Sequence, residues 1–398
     1  MFKTKLARNI LLVLGIIFLG VSFYGRVFAQ GDLERKLETY LQVLDIVKND
    51  YVEKDIDDQK LVYGSIRGML SSLDDPYTRF VEPKAYEEMR IRMSGTYSGI
   101  GIYIGIKKDQ LTVISPIEGT PAFNSKLKAG DHIVTVDGKN TKDMALEEAV
   151  SLIRGPEGTK VKLGILRPNW KEPKDFDITR AKIKINSVDS KLLDDGLAYI
   201  KLNTFENLNS AREFEKALRQ ARDSRGLIID LRGNGGGLLQ AAIDIGSMFI
   251  DQGVIVQTVD REGRTEKLES SGRVLWRKPT VVLINEASAS ASEILAGALR
   301  DNRVATLVGS KSFGKASVQN VRRLSDGSAL LVTIAKYRTP NGEDINKKGI
   351  KPDVIIEIPS NEAESQASLI NGKVETDDIQ LQKAIQVLKS MIRTGYGG

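Results

Sequence analysis

Hydrophobic and polar positions divide the chain into three stretches of different period. Between 31 and 92 the apolar residues fall at helical spacing, as Leu37, Leu41, Leu44 and Ile46-Val47, then as Leu61, Ile66, Met69 and Leu70. Asp74-Asp75-Pro76-Tyr77 interrupts this pattern as a turn. From 95 to 183 short β-type runs take over at Gly99–Ile104, Leu111–Ile114, His132–Val136 and Lys160–Leu166, with a turn at Asp137-Gly138. With a short helix at Ala145–Arg154 they predict a small β-rich domain. From 184 to 358 strand and helix alternate. Strands are expected at Leu197–Leu202, Gly226–Leu231, Thr280–Ile284, Ala305–Val308 and Leu330–Ala335, and helices at Ala211–Ala221, Leu239–Phe249 and after the serines near 290. That order predicts a layered α/β core. Residues 360–375 read as a polar linker and Ile379–Ile392 as a C-terminal helix.

The amino terminus has its own pattern. Lys3, Lys5 and Arg8 precede the uncharged, mostly apolar stretch Asn9–Gly25, and Val27-Phe28-Ala29 offers a cleavage position. Residues 1–29 therefore read as an export signal, either cleaved or kept as a membrane anchor, with the remainder outside the cytoplasm. The net charge is +6, but Lys3, Lys5, Arg8 and Arg26 supply four of those charges and the rest of the chain is nearly neutral. No basic stripe is interleaved with aromatics, so nucleic acid is not an expected partner. The chain has no cysteine and a single histidine, His132, so thiolate chemistry and the usual zinc ligand sets are excluded. His132 starts a strand and reads as structural or surface. No metal and no cofactor is expected.

Chemistry is concentrated in three segments. In INEASASASEILAGAL, Ser288, Ser290 and Ser292 alternate with alanines just before an apolar helix. A side chain at a strand-to-helix turn faces unpaired N–H groups and the positive end of the helix dipole, which suits a serine alkoxide. The same serines also suit plain helix capping. GSKSFGKASVQ, 309–319, nearly matches a phosphate loop but has Ala316 where that loop needs a hydroxyl. Its Lys315, flanked by Phe313, Gly314 and Ala316, is a candidate general base of the kind that replaces histidine, since desolvation favours a neutral amine. DLRGNGGG, 230–237, is a glycine-rich turn after a strand. Its backbone N–H groups, with that of Ala291, suit an oxyanion hole.

Together, NEASASASEILAGALRDN, GSKSFGKASVQ and YRTPNGEDINKKGIKPD closely resemble the C-terminal processing peptidases, also called tail-specific proteases. LDDPYTRFVEP, YSGIGIYIG and DLRGNGGG extend the resemblance over nearly the whole chain after residue 29. It implies a serine endopeptidase with a Ser–Lys dyad: Ser290 as nucleophile, Lys315 as base, and Gln319 similar to the glutamine that positions the lysine. Backbone N–H groups near Gly236 and of Ala291 would form the oxyanion hole. Ala316 stands where many members have glycine.

The resemblance implies five segments: 1–29 the signal or anchor, 30–94 a helical region, 95–183 an embedded PDZ domain, 184–359 the peptidase core, and 360–398 a linker and helix. In the PDZ reading, Ser98, Gly99, Ile100, Gly101 and Ile102 form the loop that holds a substrate's terminal carboxylate, and the helix at Ala145–Arg154 lines the side-chain pocket. Arg154 is a candidate relay between that domain and the core. Expected partners are exported proteins with accessible C-termini, the membrane if the segment stays attached, and a second copy of the chain. The expected location is the bacterial periplasm or the outer face of the inner membrane. Two other readings compete: a catalytically inactive PDZ adaptor on a protease-like fold, and a crotonase-like acyl enzyme.

Overall fold

The computed structural model describes residues 32–107, 109–167, 169–357 and 378–395. The proposed signal at 1–29 and the linker at 360–375 lie outside the described residues. The chain forms two compact units, one up to Met69 and one from Leu70 onward. In the first, residues 32–50 are helical and the helix Asp58–Ser71 begins. Tyr40 and Ser65 share a hydrogen bond of 2.8 Å, and Lys48 pairs with Asp58 at 2.9 Å. No helix among the described residues is long and apolar enough to cross a membrane.

The second unit is built on a six-stranded sheet. Its order is Val188–Leu193, Leu197–Leu202, Gly226–Asp230, Thr280–Ile284, Thr306–Gly309 and Val354–Ile355. The first pair is antiparallel and the others are parallel. Both faces are covered, which is why these strands read as unbroken apolar runs. Ala198, Ile200, Leu227, Ile229, Val282 and Ile284 point into one core with the helices Ser210–Gln220, Leu239–Gly246 and Ala291–Asp301. Leu197, Tyr199, Ile228, Val281 and Leu283 point the other way, against Leu381, Ala384 and Leu388 of the C-terminal helix Ile379–Thr394.

A second sheet pairs Arg79–Val81 and Val254–Asp260 with one edge of Ala329–Arg338, and Ser317–Arg323 with its other edge. Thr265–Glu269 extends it beside Val254–Asp260. Two expectations are corrected here. Residues 31–92 are not helical throughout, because Arg79–Val81 is a strand. Phe80 and Val81 are buried in place by its partner strand. The helix expected over Leu239–Phe249 ends at Gly246, and Met248 and Phe249 continue as turns bonded to Ile245 and Gly246.

The β-rich domain is an antiparallel sheet in the order Ile102–Lys107, Gln110–Pro116, His132–Val136, Lys160–Leu166, Lys174–Thr179. It has its own core of Ile100, Val113, Ile133, Val161, Leu163 and Ile178. The pair Thr96–Gly99 and Ala181–Lys184 connects it at both ends to the rest of the unit.

Candidate active site

The strands Gly226–Asp230, Thr280–Ile284 and Thr306–Gly309 run parallel, so their C-terminal ends lie along one edge of the sheet. The three segments singled out for chemistry all leave from that edge, the usual site of ligands in such sheets. The structure separates the three serines. The Ser288 hydroxyl donates to Leu231 O at 2.8 Å and the Ser292 hydroxyl to Asn234 O at 2.8 Å, and both side chains are buried. They fasten the start of the helix Ala291–Asp301 to the glycine loop. Ser290 alone of the three is partly open. Its backbone is held at φ 55, ψ −117, a conformation sparsely populated by non-glycine residues. A strained turn between strand and helix is how nucleophilic serines are projected in other hydrolases.

The glycine loop packs directly on this turn. A Cβ at Gly236, whose φ is +96, would meet Ala289 O at 2.6 Å, Ala291 N at 2.8 Å and Ser290 Cβ at 2.8 Å. Only glycine permits the approach. The Gly236 N–H donates to Asn234 Oδ1 at 2.9 Å, so in this conformation it faces the loop's own side chain and not a substrate oxygen. The N–H of Ala291 opens the helix and has no intrahelical acceptor.

Lys315 reaches the same place from the end of Thr306–Gly309. Its amine lies over the Tyr77 ring, 4.7 Å from the centroid, and not in a hydrogen bond with the Ser290 hydroxyl. Burial lowers its pKa from the ordinary lysine value, and the Arg79 charge adds to this against Asp75, Glu206 and Glu293. The Gln319 amide donates to Ser317 Oγ at 2.8 Å and Thr333 Oγ1 at 3.3 Å. Any hold it has on Lys315 therefore runs through the strand and not through the amine.

Two buried residues that sequence reasoning missed bring the serine and lysine segments together. Glu293 Oε2 accepts the N–H groups of both Ser290 and Lys315, each at 2.9 Å. Its Oε1 accepts the Ser312 hydroxyl at 2.6 Å and the Gly314 N–H at 2.7 Å. The Tyr337 hydroxyl bonds the carbonyls of the same two residues, to Ser290 O at 3.2 Å and closely to Lys315 O. Glu293 was findable, since Ser290-x-x-Glu293 has capping-box spacing. Nothing local in the sequence marks Tyr337, whose role comes from strand register.

A buried ion cluster props the glycine loop from below. Arg232 bonds Asp230 and, through both terminal nitrogens, Asp378 at 2.8 Å each. Burial raises the Asp230 carboxyl, but Arg232 and the Tyr199 hydroxyl outweigh it and hold it below the usual range. Asp378 also caps the C-terminal helix by accepting the Leu381 N–H at 2.9 Å.

The remaining candidates lie in the β-rich domain. Ile100 is fully buried in that domain's core, whereas Ser98 and Gly99 belong to the connecting strand. Gly101 and Ile102 open Ile102–Lys107, an edge strand of the sheet. Arg154 follows the helix Leu146–Ile153, and its guanidinium lies 5.1 Å above the Tyr97 ring of the connecting strand. His132 bonds Thr112 at 3.0 Å within the sheet.

Known families account for most of the chain. Residues 196–356 match peptidase family S41, 88–166 match the PDZ domain, and 27–85 match the N-terminal domain of the activating protease CtpB. The chain is 41% identical over 353 residues to a carboxyl-terminal-processing protease of Synechocystis sp., covering 86% of this chain and 80% of that one. It is 38% identical to the carboxy-terminal processing protease CtpA of Bacillus subtilis, over 82% of this chain and 70% of the other. A putative S41 protease from Bacteroides fragilis, 13% identical, shares the fold with a TM-score of 0.51 over 87% of this chain and 96% of that one. The chain belongs to the carboxyl-terminal-processing proteases of peptidase family S41, serine-type peptidases that here carry a PDZ domain.

Proposed function

We propose that the protein is an exported endopeptidase that captures the free C-terminus of a protein substrate and cuts it with a Ser290–Lys315 dyad. The observation that carries this reading is Ser290: partly open, backbone-strained, and tied through Glu293 to the segment bearing a desolvated lysine. Neutral Lys315 takes the proton of the Ser290 hydroxyl as Oγ attacks the peptide carbonyl. The developing oxyanion lies toward the Ala291 N–H and the helix dipole, with a second donor from the glycine loop once Gly236 turns from Asn234. The lysine ammonium then protonates the leaving amine, and water removes the acyl group with Lys315 again as base. The amine lies over the Tyr77 ring without a hydrogen bond to Oγ and must shift toward the hydroxyl before the proton passes, so the described conformation is a resting one.

Capture of the tail is supported by the edge strand Ile102–Lys107, whose Ile102 and Ile104 pack on the same core as Leu146 and Leu152 of the helix Leu146–Ile153, since PDZ domains add a peptide strand to such an edge. The backbone of Gly101-Ile102 would hold the carboxylate, and Arg154 against Tyr97 would pass occupancy to the core. Export rests on residues 1–29, cleaved or kept as an anchor. Exposed Leu33, Leu37, Leu41 and Ile46 support pairing with a second copy.

The test uses residues 30–398 and a folded protein bearing an unstructured, apolar-ended tail. Wild type should cut the tail, amidation of its carboxylate should weaken cutting, and Ser290→Ala should abolish it. Wild-type cutting by Ser290→Ala, or indifference to amidation, would contradict the nucleophile and the capture respectively.

A further inference from the structure

The turn that carries Tyr77 takes no part in the chemistry above. Its ring nevertheless lies in contact with the lysine assigned as base, 4.7 Å from Nζ to centroid. The placement is built into the fold. Asp75 accepts the Tyr77 N–H at 3.0 Å and the Thr78 hydroxyl at 2.6 Å, and the Thr333 N–H donates to Thr78 Oγ1 at 3.0 Å. The Thr333 hydroxyl receives the Gln319 amide at 3.3 Å. Two residues beyond Tyr77 the strand Arg79–Val81 pairs with one edge of Ala329–Arg338, and two beyond Lys315 the strand Ser317–Arg323 pairs with its other edge. Ring and amine are thus mounted across one strand.

We propose that Tyr77 is a positioning residue for the general base: its ring face seats the Lys315 ammonium and stabilises the charge the lysine acquires when it receives the serine proton. The inference rests on the Ser–Lys reading. A ring face attracts a cation and not a neutral amine, so the contact favours protonated lysine. The charged groups around the amine are Arg79 on the same segment as Tyr77, which opposes protonation, and Asp75, Glu206 and Glu293, which favour it. Burial, with Glu293 and Asp75 adding to it, raises the Tyr77 phenol, so the ring stays neutral and acts through its face. The seat makes Lys315 a stronger base while reducing its neutral fraction, the compromise every general base faces. It also gives the conspicuous DDPYT turn a part in catalysis at a distance from the peptidase core in sequence.

The test is the pH dependence of kcat/KM for the full chain cutting the tailed substrate, with wild type, Tyr77→Leu, Tyr77→Phe, Tyr77→Trp and Lys315→Ala. Tyr77→Leu should move the lysine inflection to lower pH by about 0.5–1.5 units and lower the plateau above it. Tyr77→Phe keeps the ring and should hold the inflection within about 0.3 units on the same scale. Tyr77→Trp, a better cation partner, should move it upward and serves if the leucine variant does not fold. An unmoved inflection in both Leu and Trp variants, with thermal unfolding like wild type, overturns the proposal, because a structural role alone lowers activity without moving the inflection. Full activity of Lys315→Ala overturns the Ser–Lys reading instead.

Discussion

Ser290 and Lys315 donate their backbone N–H groups to the same atom, Glu293 Oε2, each at 2.9 Å. The Tyr337 hydroxyl meets the carbonyls of the same two residues. The two residues with the best claim to the chemistry are therefore held through their main chains, which leaves both side chains unrestrained by that bracing. An amine and a hydroxyl that must exchange a proton need a fixed separation of their backbones and freedom at their tips.

Glu293 is the centre of this bracing because all four of its partners are donors. Glu293→Gln puts an NH2 group against at least one N–H. Hydrogen bonds to a charged acceptor are worth about 1.5–3 kcal/mol each, so the variant should lose kcat by about 10- to 100-fold. Steady-state kinetics beside a thermal melt checks this. A variant with wild-type kcat would show that the bracing is dispensable.

Tyr337→Phe removes the hydroxyl that links the two carbonyls: Ser290 O keeps the Ile294 N–H, and Lys315 O loses its close donor. The expected loss is about 1–3 kcal/mol of stability and about tenfold in kcat, with KM near wild type. Chemical denaturation and Michaelis–Menten curves separate the two effects. A change confined to KM would move Tyr337 from the dyad to substrate binding.

The pH profile has a definite sign. Burial and Arg79 depress Lys315, and only its neutral form accepts a proton, so kcat/KM should rise with pH and level off below the ordinary lysine pKa. Arg79→Ala removes a repelling charge, so lysine should hold its proton longer and the rise should move to higher pH. A shift the other way would mean that Arg79 does not act on the base.

Gly236→Ala tests the glycine loop. Its new methyl would fall within 2.6–2.8 Å of Ala289 O, Ala291 N and Ser290 Cβ, mostly backbone that cannot give way cheaply. Activity should fall by at least about 100-fold, the scale of losing an oxyanion donor. Single-turnover assays at saturating substrate read this directly.

Asp378→Ala addresses the C-terminal helix. It removes a helix cap and one anion from a buried Arg232 cluster, which should cost about 3–5 kcal/mol in urea unfolding. Loss of half a kilocalorie or less would make the cluster a bystander.

Much of this was legible in the sequence and part was not. The parallel strands were placed closely because their runs are apolar on both faces, and Leu197–Leu202 and Thr280–Ile284 match the structure residue for residue. Ser317–Arg323 was not read as a strand because its side chains are mostly polar and face solvent. Arg79–Val81 was lost inside a helical stretch because three residues carry no period. The serine, the lysine and the glycine loop were found because their residue types announce their chemistry. Glu293 has a local signal in its capping-box spacing to Ser290, but its bonds to Ser312, Gly314 and Lys315 have none, and what Tyr337 and Tyr77 do depends on pairings across 22 residues or more of chain.

The most direct measurement is the mass of the enzyme quenched in acid during turnover of a tailed substrate whose scissile bond is an ester, so that acylation outruns deacylation. Peptide mapping should show the acyl fragment on Ser290, and Lys315→Ala should accumulate none. An adduct on Ser288, Ser292 or any other residue, or turnover with no adduct at all, would contradict the Ser290–Lys315 mechanism.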